Sequence, residues 1–195
     1  MREMKILLGL LVWLITGSAM AQWTVDPQGS YVGFASVKNE LIAENHSFKE
    51  ISGSVSTSGE AEIVIALASV ETNIPIRNER MQAMLFNVAN NPTAVVSSLL
   101  AVGEYTSLAV GQSINQDVRL NINLNGTDVT RNAKVKVTRS ADDAFEVTSL
   151  GPLLVHASQF ALAEGVEALR KVAGLQSIEL MVPVTFDLRL VATPQ

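Results

Sequence analysis

The sequence predicts an all-β chain: one antiparallel sheet curled into a β-barrel, with two short helices set into it. Three observations carry this reading. From Ile178 to Leu190 every even position is apolar, and the odd positions are polar apart from Met181 and Pro183. Strand side chains alternate between faces, so this is a strand of about 13 residues with one greasy side, long against a usual 5–6. Asp117 to Asn125 alternates in the same way, and Asn125-Gly126 closes it with a strong hairpin signal, because both residues accept positive φ. Elsewhere short strands recur at regular spacing, divided by polar turns. One buried face and one wet face mark an antiparallel sheet. Pro183 cannot donate a ladder bond and points to a bulge or bend, and a long, bent, one-sided strand suits a closed barrel.

The elements follow in order. Charged Met1 to Lys5, apolar Ile6 to Ile15 and Ala19-Met20-Ala21 together describe a secretory signal peptide over residues 1–21, with cleavage after Ala21. Ten apolar residues rise about 15 Å as a helix, too short for a bilayer core of about 30 Å. The chain has no cysteine, so a lipoprotein anchor is excluded, as are thiol catalysis and cysteine–zinc sites. Export to the periplasm leaves residues 22–195 as one domain of 174 residues, large enough for a core without disulfides. Losing the leader removes two basic residues and one acidic residue, which moves the net charge from −5 to −6. An acidic chain argues against nucleic acid and anionic membrane as partners, and no later apolar run is long enough to span a membrane.

Tyr31 to Val37, Ser47 to Val55 and Ala61 to Leu67 are expected strands, with turns at Lys38-Asn39-Glu40 and Ser56 to Gly59. Met81, Met84, Leu85 and Val88 then fall at helical spacing, so residues 76–88 are expected to be a helix, ended at Asn90-Asn91-Pro92. Residues 93–99 return to a strand pattern. After Asn125-Gly126 the returning strand carries Val129, Ala133, Val135 and Val137, and Ser140 to Asp143 is the next turn. Ala144 to Val155 is a strand interrupted near Gly151-Pro152. Ser158 to Val172 is the second expected helix, with acids early, Arg170 and Lys171 late, and Gly174 placed for its C′ position.

Catalytic sets are hard to assemble. The two histidines, His46 and His156, lie outside any G-x-S-x-G setting and provide no H-x-x-x-H pair, so no catalytic residue, metal site or cofactor is expected. Asp142-Asp143 and Glu60/Glu62 read as solvated turn and strand-edge charges, and His46 as an exposed loop histidine, with head-group binding as its other reading. No dinucleotide or phosphate-loop motif occurs.

Trp23-Thr24-Val25-Asp26-Pro27, Ser30, Val32 and Phe34 resemble the W-x-V-D-x-x-H-S-x-V-x-F opening of the YceI-like family, with Gly29 where a histidine is common. Ser69-Val70-Glu71-Thr72, Arg77 to Met81, Leu85-Phe86, Val88 and Pro92-Thr93-Ala94 resemble its central run, with Asn78 for an aspartate and Val96 for an aromatic. Leu124 to Thr127 resembles its hairpin, while Ala157 to Phe160 departs from its R-x-D-F-G element. The resemblance implies a lipocalin-like antiparallel β-barrel of about eight strands, lipid- and polyisoprenoid-binding, with a long apolar chain threading the lumen.

On that reading Met81, Met84, Leu85 and Phe86 face the lumen from the central helix, methionine adapting to a flexible chain. Phe34, Leu120, Ile122, Phe160 and Phe186 are the inward-facing strand and helix candidates. Arg77 and Arg80, one turn apart, either hold a phosphate or carboxylate head group at the mouth or pair with Glu79, Glu71 or another nearby acid. The expected function is an exported carrier or reservoir for a long apolar lipid of isoprenoid type, not an enzyme, without membrane insertion after cleavage and with a homodimer left open. The alternatives are an interaction module with a filled barrel, or an enzyme acting on a hydrophobic substrate.

Overall fold

Among the described residues, twelve strand segments are built from the alternating stretches. They are β1 (Ala21–Val25), β2 (Tyr31–Lys38), β3 (Ile42–Phe48), β4 (Ile51–Ser56), β5 (Glu60–Ala66), β6 (Val70–Glu71), β7 (Thr93–Leu99), β8 (Ser113–Leu124), β9 (Thr127–Ala141), β10 (Ala144–Ser149), β11 (Leu153–His156) and β12 (Met181–Ala192). The structure is a computed structural model and describes residues 21–193, so all but the last residue of the expected signal peptide, residues 1–21, lies outside the described residues.

The segments merge into eight antiparallel staves. On one side of β12, β10 pairs with Asp187 to Val191 and β11 with Met181 to Val184; on the other, β1 pairs near its end and β2 with Val184 to Asp187. Thus β1/β2 and β10/β11 are each one broken stave, and β3/β4 and β5/β6 are two more. The ring β1-β4-β5-β7-β8-β9-β10-β12 closes when β12 pairs with β1. Closure removes the free edges that an open sheet would present.

The breaks in the neighbouring β3/β4 and β5/β6 staves share one support. The Ser69 hydroxyl accepts from the Lys49 and Glu50 amides at 3.2 and 3.0 Å and donates to the Ala66 carbonyl at 2.7 Å. The expected single strand from Ser47 to Val55 is therefore two segments that bend at Lys49-Glu50, and the first of them begins earlier, at Ile42.

β8 and β9 are the most regular pair. They stay in register from Leu124–Thr127 to Ser113–Thr138, and Asn125 and Gly126 take φ of 53° and 72° in the two-residue loop. That is the turn the Asn-Gly pair was expected to make. The long C-terminal strand starts at Met181 rather than Ile178, which makes only an isolated bridge to Lys38. Phe34 pairs with Val184, whereas Lys38, four residues on, pairs with Ile178, six residues back. The extra residues on the long strand lie beside Pro183, which has no amide to hold the ladder there.

There are three short α-helices among the described residues, one more than expected: α1 (Pro75–Arg80), α2 (Val102–Thr106) and α3 (Ala163–Val172). α1 continues as a π-turn from Met81 to Phe86 and stops at Asn87, whose φ is 49°. The second expected helix begins as a 3₁₀ turn over Ala157–Phe160, breaks at Ala161 (φ 55°) and resumes as α3. At the α3 C-terminus the Leu175 amide donates to the Arg170 carbonyl and the Gly174 amide to the Lys171 carbonyl. With Gly174 at φ 65° this is the Schellman arrangement, with Gly174 at C′. No helix among the described residues is long and apolar enough to cross a membrane.

Candidate functional site: an apolar cavity with a polar end

The barrel is hollow. Its inward side chains leave a cavity of about 290 Å³. Apart from Ser98, Tyr105, Thr106 and the Trp23 indole, every side chain on its wall is pure hydrocarbon. The wall follows from the alternation: Val182, Val184, Phe186, Leu188 and Leu190 of β12 line it, as do Val118, Leu120, Ile122 and Leu124 of β8. Such a surface holds apolar groups and offers water almost nothing to bond.

Six residues singled out from the sequence meet on this wall: Phe34, Leu85, Phe86, Leu120, Ile122 and Phe186. The other five lie elsewhere. Met81 and Phe160 are buried in the packed core around the cavity, Phe160 at 1% exposure. Met84 faces outward at 38% exposure. The π-turn explains it: i→i+5 bonding aligns Met81 with Leu85 and Phe86, whereas regular helical spacing would bring in Met84. Arg77 and Arg80 lie off the wall.

Cavity residues that the sequence reading did not single out include Trp23, Phe48 and Phe145. Trp23 and Phe145 pack edge to face, 5.6 Å between centroids at 84°. Their signal was alternation: Phe48 repeats the phase of the inward side of its strand. Tyr105 and Val102 come from α2, which no periodicity announced.

The barrel wall is thinnest between β7 and β8. They pair only from Val95–Asn123 to Ser97–Asn121, although β8 runs on to Ser113. Beyond that point the Ser98 hydroxyl donates to the Arg119 carbonyl at 2.9 Å, and Leu100, Val102, Tyr105 and Thr106 fill in from the segment that follows β7.

One end of the inner face turns polar over a few residues. Across β2 and β3 the register pairs Val32 with Phe48, Phe34 with His46, and Ser36 with Glu44, all on one face. Phe86, Phe48, Phe34 and His46 form a file of rings with successive centroids 6.1, 5.5 and 5.1 Å apart. His46 is buried, not an exposed loop histidine as expected, and its Nε2 lies 2.9 Å from the Ser36 hydroxyl. Burial first, and the nearby Arg77 guanidinium second, hold the imidazole below its ordinary pKa. Beyond it, Glu44 Oε2 takes both the Lys38 ammonium and Arg77 Nη1 at 2.8 Å. The Lys38 bond, with help from Arg77, holds the Glu44 carboxyl below the usual carboxylate range despite some desolvation.

Arg77 thus pairs with Glu44, an acid distant in sequence, rather than Glu79 or Glu71. Its Nη2 also donates to the Thr72 carbonyl at 2.6 Å. Asn78 ties the same region down: its Oδ1 accepts from the Thr72 amide at 2.9 Å and its Nδ2 donates to Glu71 at 3.1 Å. An aspartate there could not donate to Glu71. Arg80 has no ion-pair partner among the described residues. No group of three or more His, Asp or Glu side chains among them is placed to hold a metal ion.

Comparison with known proteins gives a consistent picture. A family model for the YceI-like domain matches residues 23–190. A solved polyisoprenoid binding domain from Saccharophagus degradans, implicated in plant cell wall breakdown, is 34% identical with a TM-score of 0.88, covering 89% of this chain and 100% of its own. BcnA of Burkholderia cenocepacia is 18% identical with a TM-score of 0.65, covering 85% of this chain and 98% of its own, which is a likeness of fold. A mutant CJ YCEI protein crystallised with a monobromobimane guest shares the fold at 10% identity and a TM-score of 0.53, covering 77% of this chain and 85% of its own. No curated protein sequence matches.

Proposed function

The chain belongs to the YceI-like family, and from that membership we propose that it is an exported binding protein holding a long apolar lipid of isoprenoid type in the barrel lumen. The observation that carries this is the cavity of about 290 Å³ with its hydrocarbon wall. Its size is at the lower end of ligand pockets, about 300–1,000 Å³, which suits a slender chain rather than a bulky ring system. Each buried CH₂ contributes about 0.8 kcal/mol, so a chain binds well with few polar anchors. The similar domain from Saccharophagus degradans is itself described as polyisoprenoid binding. A void of this size weighs against a barrel that is filled and works only through its loops. We read the role as binding rather than catalysis.

Residues 1–21 are the export signal on this reading, and the domain of residues 22–195 works in the periplasm. The first test is organic extraction of protein purified from its own host, followed by lipid mass spectrometry and native mass spectrometry. An apolar prenyl adduct is expected. A clean apo spectrum, with no uptake of added prenyl lipid, rejects the reading. Fractionation with N-terminal sequencing tests export: the exported chain begins at Gln22.

A further inference from the structure

We propose that Ser36, His46 and Arg77, flanked by Lys38 and Glu44, form a pocket for an oxyanion, a carboxylate or phosphate, carried at the end of the lumen ligand. The inference rests on the lumen reading and adds the chemical class of the head group.

Three observations carry it. The first is position. Phe34 and Phe48 belong to the cavity wall, and the His46 ring packs directly on Phe34. Moving outward along the same face, His46 is 5% exposed, and the side chains of Glu44, Lys38 and Arg77 are 25–29% exposed. The face therefore runs from greasy wall through a buried imidazole to charges that reach water. A lipid with its chain in the lumen has its polar end here.

The second is unused hydrogen-bonding capacity. His46 Nδ1 and Arg77 Nε are both buried without a protein partner. Unsatisfied buried polar atoms are costly and uncommon. Arg77 Nε can only donate, and His46 donates from Nδ1 when the Ser36 hydroxyl donates to Nε2. Each is then satisfied by an acceptor oxygen.

The third is charge. Lys38 and Arg77 share one carboxylate oxygen of Glu44, which leaves one positive charge uncompensated in the group. A second anion settles that balance with charge-assisted bonds. It also favours the protonated imidazole, so that both ring nitrogens donate, one to Ser36 and one to the ligand. The groups that set the His46 titration are Lys38, Glu44 and Arg77 together with the incoming anion.

The test compares one chain with different ends: farnesene, farnesol, farnesoic acid and farnesyl phosphate, titrated calorimetrically into the protein at low salt, with inorganic phosphate as a separate arm. The acid and the phosphate are expected to bind roughly tenfold or more tighter than farnesene, the range of one or two charge-assisted bonds. His46→Phe keeps the ring stack and Arg77→Gln keeps polar bulk; each is expected to erase the preference and leave farnesene binding unchanged. In the wild-type protein, the His46 ring, followed by NMR, is expected to titrate at higher pH when farnesyl phosphate is bound. Equal affinity for the four ligands, or a preference that survives both variants, overturns the pocket. Failure of farnesene to bind overturns the lumen reading instead, and the response of His46 to inorganic phosphate then decides the oxyanion site by itself. A response to inorganic phosphate equal to that for farnesyl phosphate assigns the pocket to free anions and overturns its link to the lipid end.

Discussion

Phe34 sits opposite His46 on the β2–β3 ladder with ring centroids 5.1 Å apart, so a cavity-lining aromatic and a buried titratable ring share one packed pair. The pair joins the hydrocarbon interior to the polar end of the same face. It also ties folding to pH.

In the folded, ligand-free protein His46 resists protonation, whereas in the unfolded chain it titrates near its ordinary 6.5. Below that pH the unfolded state binds a proton that the folded state refuses, so its contribution to stability is complete above 6.5 and is lost as pH falls toward the depressed folded value. Calorimetric melting of the delipidated protein is expected to show a falling Tm from pH 7.5 to about 5, the window beneath the ordinary histidine value. His46→Phe is expected to flatten that slope. A flat wild-type curve, or an equal slope in the variant, refutes the assignment. The Glu44 carboxyl, also depressed, acts below its ordinary 4.5 and leaves this window to the histidine.

Gly165 lets α3 lie on the π-turn. A Cβ there would come within 2.8 Å of the Met84 carbonyl oxygen and 2.9 Å of Leu85 Cα, both backbone positions that cannot swing aside. Gly165→Ala gains helix propensity in α3 but must push the helix off the turn that carries Leu85 and Phe86. We expect a net loss of about 1–3 kcal/mol in chemical denaturation, the usual range for overpacking. Unchanged or raised stability would show that the contact yields.

Phe160 and Leu120 separate packing from binding. Phe160 is 1% exposed and off the cavity wall, whereas Leu120 is on it. Phe160→Ala is expected to cost about 3–5 kcal/mol of stability while the folded fraction still takes up prenyl lipid. Leu120→Trp puts bulk into the void and is expected to lower lipid uptake about tenfold or more with the far-ultraviolet spectrum of the barrel retained. Uptake that survives Leu120→Trp at full strength would place the ligand outside this cavity.

Strand identity and facing were legible because their cause is local. Period-two alternation in Asp117 to Asn125 and Ile178 to Leu190, and the φ tolerance of Asn125-Gly126, are properties of neighbouring residues, and the structure keeps each of them with shifted ends. Leu120, Ile122 and Phe186 follow from that alternation. Met84 does not follow, because the helix widens into a π-turn that its own spacing does not record. Phe160 was read as inward and is buried, yet it does not reach the cavity wall.

By itself, then, the sequence determined which residues alternate, where the turns fall and that one side of each strand is greasy, since sterics and side-chain direction act over a few residues. Tertiary structure alone decided that the greasy sides enclose a void, that Arg77 meets Glu44 from 33 positions away, and that His46 is buried with a free nitrogen. Those outcomes depend on how side chains from staves far apart in sequence sum across a closed ring, and no local period carries that sum.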